Sequence, residues 1–247
     1  MFALPLAPIT AADIALAVLL GFILPLYTWI EHRQDQRREV EGRARSLVQR
    51  YRGTMLMLWG ASALVVAAWI GAGRPLADLG LGASGGFWFF VALAAAIVGS
   101  LLYGAQVFTI RRNATARAEL RDMLHKQQGV DSMFPSTPAQ MVTFRWVALT
   151  AGITEELLFR GFLIWALAHW MPVWAAAALS LAIFTLAHLY QGTARALVGV
   201  LIAGGVMTAL TLVSGSLLPA MILHIAVDLA GGEMTWAARH SRDDAEA

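Results

Sequence analysis

The chain has 247 residues, 58% of them hydrophobic and only 14% charged, with a mean hydropathy of +0.63, a composition that excludes an ordinary soluble domain. The absence of cysteine excludes disulfides, thiolate nucleophiles and Cys-ligated zinc or iron sites. The net charge of +2 with a pI near 9.4 comes from basic residues gathered in two loops, which is the pattern of membrane topology and not of nucleic-acid binding.

The apolar residues arrive in blocks of about twenty, long enough for helices that span a bilayer. The fold class expected is therefore all-α: a polytopic membrane protein with about seven transmembrane helices. The blocks cover residues 11–30, 54–72, 87–110, 141–170, 173–190, 194–213 and 217–236. No repeat of fixed period and no low-complexity stretch appears, so residues 1–247 read as a single membrane domain. The leading residues carry no basic cluster and run apolar to Ile30, so the first helix is expected to stay in the mature protein.

The loop at 31–52 carries seven arginines, and a second basic cluster lies in 111–140, whereas 73–86 holds only Arg74. By the positive-inside rule both basic loops face the cytoplasm, which puts the N-terminus outside. In the first of them Val40, Ala44, Leu47, Val48 and Tyr51 recur at helical spacing. That spacing predicts an amphipathic helix on the membrane surface or a continuation of the first span. Ala116, Leu120, Met123 and Leu124 repeat the pattern in the other basic loop.

The fourth span has a defined start, with Thr137 as N-cap, Pro138 at the first helical position and Gln140 completing a capping box. From there to Pro172 it is too long for a straight crossing of a ~30 Å hydrocarbon slab, so a tilt, a kink near Gly152 or Gly161, or a projection beyond the slab is expected. Arg145 near its start is expected to snorkel to the headgroups.

Charged and titratable residues inside the last four spans cost free energy in lipid and point to function. They are Glu155, Glu156 and Arg160 on the fourth span, His188 on the fifth, and His224 and Asp228 on the seventh, all between mid-depth and the cytoplasmic third. Glu156 and Arg160 lie four apart in the favourable order for an ion pair, while Glu155 points about 100° away. The pair therefore divides: Glu156 neutralises Arg160, and Glu155 is left for chemistry. Phe184 lies one turn below His188, and His224 and Asp228 share one helix face, so Asp228 either orients His224 or acts directly.

A glutamate and two histidines converging in a half-buried cavity can activate water, the glutamate taking its proton. Zinc held by Glu155, His188, His224 and Asp228 is also compatible with this set, although the HExxH helix of common zinc proteases is absent. Nothing points to a nucleotide or organic cofactor.

The segments EELLFR (155–160), FTLAH (184–188) and HIAVD (224–228), in this order and each inside an expected span, resemble the three motifs of the CAAX-protease and bacteriocin-processing family, also called Abi. The resemblance covers 141–230, the motif-bearing core, and ADLGLG at 77–82 also looks typical of the family. Its members are intramembrane proteases related to the Ras-converting prenyl endopeptidase. The resemblance implies Glu155 as the general base that activates water with His188. It implies His224 and Asp228 as oxyanion or metal-site residues, and Glu156, Arg160 and Phe184 as residues that shape the site.

Asp228 stands where the prenyl-protease branch has asparagine, and an ionised aspartate cannot donate to an oxyanion. It is then protonated, orients His224 or sits near a metal. The implied partner is a hydrophobic or membrane-associated peptide in the bilayer of a bacterial cytoplasmic membrane, with prenylation not assumed. Two other classes fit the same residues: a non-catalytic immunity or scaffolding protein on this fold, and a proton-coupled transporter.

Overall fold

The computed structural model describes residues 7–126 and 133–240. The first six residues of the leading stretch and the middle of the 111–140 loop lie outside the described residues. Among those described, every regular element is helical. α1 spans Ala11–Val40, α2 Leu47–Gly71, α3 Phe87–Arg112 and α4 Ala114–Lys126. α5 is a composite over 138–167, α6 spans Val173–Ala187, α7 Ala194–Ser214 and α8 Leu218–His240.

Among the described residues five helices are long and apolar enough to cross a membrane: α1, α2, α3, α7 and α6 with its following turn. The chain is thus a polytopic all-α membrane protein. The other two of the seven expected spans, α5 and α8, form as long helices but fall outside that set. They carry Glu155, Glu156, Arg160, Asp228 and Glu233, and they are shielded by neighbours: the whole stretch Glu156–Leu163 is buried. Polar groups are tolerated where protein, not lipid, surrounds them.

α8 packs along α3, α5 and α7, and α2 packs along the other side of α5. α5 therefore runs through the middle of the bundle, where Leu158, Phe162, Leu163 and Trp165 join Leu58, Val65 and Trp69 of α2 in the main core. Gly152 permits a close approach of α5 to α8, since a Cβ there would run into the backbone and side chain of Ile225. The segment at 77–82 acts as a wedge between elements. Leu76–Leu79 forms a 3-10 turn that ends on Gly80 at φ 84°, and the Gly80 carbonyl accepts from the Leu217 amide at 2.9 Å. The carbonyl of Leu79 comes so close to Gly161 that any side chain there would collide with it.

The capping box at Thr137 forms as expected, with Gln140 N donating to Thr137 Oγ1 at 3.3 Å and Thr137 N donating to Gln140 Oε1 at 3.2 Å. The single amphipathic helix expected across 40–51 does not form. α1 instead continues to Val40, which is itself exposed, and the chain then breaks at Gly42, whose φ of 69° is left-handed. A second capping box, Ser46 with Gln49, starts α2. The expected helix through Ala116, Leu120, Met123 and Leu124 does form, as α4, and packs on α3 and α8. Arg145 has a half-exposed head, as snorkelling requires, but also a defined partner, donating to Glu233 Oε1 at 2.6 Å.

Candidate active site

α5 changes its winding at the motif. Pro138–Glu155 is α-helical, Glu156–Leu163 is a π-helix, and Ile164–Leu167 returns to α. π-segments within α-helices concentrate at functional sites because they disturb the hydrogen-bond ladder. Here a neighbour compensates, as the Ser180 hydroxyl of α6 donates to the Phe159 carbonyl at 2.7 Å. The expected irregularity of α5 is thus a π-segment that contains Gly161 and leaves Gly152 in regular helix.

The two glutamates occupy different surroundings. Glu156 is 0% exposed, whereas Glu155, the last α-helical residue, is 14% exposed into a cavity of about 470 Å³. Glu156 Oε1 accepts from Arg160 Nη1 at 3.1 Å, the ion pair expected from their spacing. Arg160 is used on every side. Its Nε donates to Thr208 Oγ1 at 3.3 Å and its Nη2 to the Gly204 carbonyl at 3.2 Å, while the guanidinium lies 4.1 Å from the Phe184 ring centroid. This clamp ties α5 to α6 and α7.

The same Glu156 Oε1 also lies 2.8 Å from His224 Nδ1. A carboxylate so placed accepts a hydrogen bond from Nδ1–H and turns Nε2 toward the cavity, which is how a partner fixes a histidine tautomer. Glu156, and not Asp228, therefore orients His224. Asp228 stands on the other side of the ring, its Oδ2 3.7 Å from His224 Nε2, and is 34% exposed. His188 is held likewise: its Nδ1 is 2.7 Å from the Phe184 carbonyl, which can only accept, so Nε2 faces inward. The Phe184 ring is packed 4.4 Å from the His188 ring.

The four expected groups thus face one cavity from α5, α8 and the end of α6. Glu155 Oε2 is 3.9 Å from His188 Nε2 and 3.9 Å from His224 Nε2. Both distances exceed a direct hydrogen bond and suit a bridging water. Beyond this polar end, Leu24, Met57, Leu58, Phe144, Val200 and Met207 give the cavity an apolar lining, and Glu31, Asp35, Arg45 and Arg50 lie at another part of its wall.

The donors Glu155, His188, His224 and Asp228 are of the right chemistry for zinc. As the side chains stand, however, no group of three or more His, Asp and Glu among the described residues is arranged to hold a metal ion.

Tyr190 is among the cavity residues not singled out from the sequence. Tyr190 lies in the 3-10 turn Leu189–Gln191 that follows His188, with its ring centroid 5.7 Å from that of His188. A tyrosine two positions beyond a candidate histidine, near the end of an apolar span, was the available signal.

The family model described as type II CAAX prenyl endopeptidase, Rce1-like, matches residues 137–230, a range that contains all three motifs. No curated protein and no solved structure matches the chain.

Proposed function

We propose that this chain, a member of the CAAX-protease and bacteriocin-processing family by its match over residues 137–230, hydrolyses a peptide bond with a water activated by Glu155 and His188. The observation that carries the reading is the division between the glutamates. Glu156 is sealed between Arg160 and His224, while Glu155 faces the cavity with two imidazole Nε2 atoms each 3.9 Å from one of its oxygens.

With Nδ1 of His188 committed to the Phe184 carbonyl, Nε2 of the neutral ring is an acceptor, as is Glu155 Oε2. A water that donates to both keeps its lone pairs turned outward, toward a carbonyl carbon. As its oxygen attacks, one proton passes to Glu155, a C–O bond forms and the carbonyl π pair moves onto oxygen. When the C–N bond breaks, protonated Glu155 returns the proton to the leaving amine.

The apolar cavity wall favours a hydrophobic or membrane-associated peptide as substrate, and prenylation is not assumed. The positive-inside rule applied to the two basic loops supports an N-terminus outside and the polar end of the cavity in the cytoplasmic half, in what we take to be a bacterial cytoplasmic membrane.

The test is cleavage of a quenched membrane-peptide library by the purified protein. Glu155→Gln and His188→Ala are each expected to abolish it, and retained cleavage in both variants would sink the reading. Elemental analysis of the same preparations, with and without Asp228→Asn, decides whether the activated water acts alone or on a metal. Zinc that is lost with the substitution would transfer the activated water to a metal.

A further inference from the structure

Attack on a peptide carbonyl builds negative charge on its oxygen, and catalysis depends on a donor already aimed at that charge. The four groups singled out from the sequence supply few. Glu155 and Asp228, when ionised, only accept. His188 commits its Nδ1 hydrogen to the Phe184 carbonyl, so the neutral ring offers a lone pair at Nε2. His224 commits its Nδ1 hydrogen to Glu156, and its Nε2 lies 3.9 Å from Glu155 Oε2 and 3.7 Å from Asp228 Oδ2, beyond a direct hydrogen bond to either.

Tyr190 is a polar side chain next to His188, and it lines the same cavity as Glu155, His188, His224 and Asp228. Its ring lies at 30° to that of His188, and the His32 ring of α1 stands 6.5 Å away. The backbone beneath it is fixed, with Gln191 N donating to the His188 carbonyl at 3.0 Å and the turn ending on left-handed Gly192. A phenol is a neutral donor that needs no proton from its neighbours.

Resting on the hydrolytic reading above, we propose that the Tyr190 hydroxyl donates a hydrogen bond to the carbonyl oxygen of the scissile peptide as that oxygen becomes an oxyanion. Tyr190 is then a catalytic residue. It exchanges no proton in the step: water still gives its proton to Glu155, and the charge on the former carbonyl oxygen is held by Tyr190 until the C–N bond breaks. This also explains how the site tolerates an aspartate at 228, since the turn after α6 supplies a donor that an ionised aspartate cannot.

The experiment compares Tyr190→Phe with the wild type in the peptide-cleavage assay and in binding of a phosphinate peptide, a tetrahedral mimic of the intermediate. The phenylalanine keeps the ring contacts with His188 and removes only the hydroxyl. The kcat is expected to fall roughly 10²–10³-fold with KM little changed. Affinity for the phosphinate should fall in parallel while affinity for the product peptide holds. Wild-type kcat in Tyr190→Phe, alongside an inactive Glu155→Gln, overturns this inference and leaves the hydrolytic reading standing. Full activity in both variants overturns the hydrolytic reading instead. A fall that appears only in KM, or equal loss of affinity for phosphinate and product, assigns Tyr190 to substrate binding and also overturns the proposal.

Discussion

Asp13 with Arg74 and Glu156 with Arg160 are both arginine–carboxylate pairs buried in the bundle, and they differ in how completely their partners are used. Arg74 Nη1 and Nη2 donate to the two oxygens of Asp13 at 3.0 and 2.7 Å, and Nη2 also reaches the Pro8 carbonyl. Thr10 donates to Asp13 from both its amide and its hydroxyl. The guanidinium lies 5.0 Å from the Trp69 ring centroid and 4.5 Å from that of Trp165. Each partner is satisfied locally, so the pair fastens α1 to the segment after α2. In the second pair a single oxygen, Glu156 Oε1, takes both Arg160 and His224, and Oε2 has no hydrogen-bond partner among the described residues. The first pair is a closed staple; the second ends on a histidine that faces the cavity.

The largest effect should come from cutting each pair at its arginine. Removing one partner of a buried pair leaves an uncompensated charge, at a cost of about 3–5 kcal/mol. Arg160→Ala and Arg74→Ala should therefore both lower stability by that order, measured by unfolding in detergent micelles. Their activities should separate: per folded molecule, Arg74→Ala keeps wild-type kcat and Arg160→Ala loses it. Equal losses of kcat would break the distinction between the pairs.

A milder cut sharpens it. Glu156→Gln preserves size and still offers Arg160 an oxygen, but His224 loses its carboxylate. Loss of a partner that orients a site histidine typically costs about 10–100-fold in activity, and that fall in kcat is expected here with stability reduced less than in Arg160→Ala. Asp13→Asn, the matching change in the staple, should leave kcat unchanged.

How much of this was legible depends on the range of the interaction. The Glu156–Arg160 pair is four residues apart on one helix, so spacing alone gave it, and the capping box at Thr137 is equally local. The second role of Glu156 joins α5 to α8 across 68 positions of sequence. No periodicity encodes such a contact, and so the sequence offered only Asp228, close to His224, either to orient it or to act directly. The π-segment was hidden for a related reason. Leu, Phe and Arg at 157–160 are sound α-helix formers, and the departure is supported by Ser180 on another helix. In the 31–52 loop the signals were present and outweighed: Gly42, and the Ser46–Gln49 spacing identical to Thr137–Gln140, mark a break that apolar periodicity overrode. The two longest helices outside the set of five span candidates are those that bear the site. They carry Glu155, Glu156, Arg160, Asp228 and Glu233, and packing against α2, α3 and α7 makes that charge tolerable.

The smallest expected effect tests whether the clamp acts through its hydrogen bonds or only through packing. Thr208 accepts from Arg160 Nε at 3.3 Å, and its hydroxyl donates to the Gly204 carbonyl at 2.8 Å, the same carbonyl that Arg160 Nη2 reaches. Thr208→Val keeps the shape and removes the acceptor. A buried charged donor then loses one of its bonds, at a cost of about 1–3 kcal/mol. Arg160 keeps Nη1 on Glu156 and its place over Phe184, so kcat should fall by less than in Glu156→Gln. Thr208→Ser restores the hydroxyl and drops the methyl, and it should recover most of the lost stability and all of the lost kcat. If serine and valine behave alike, the methyl packing of α7 is what holds Arg160, and the path from clamp to His224 runs through shape instead of through the hydrogen bonds that distinguish this pair from Asp13–Arg74.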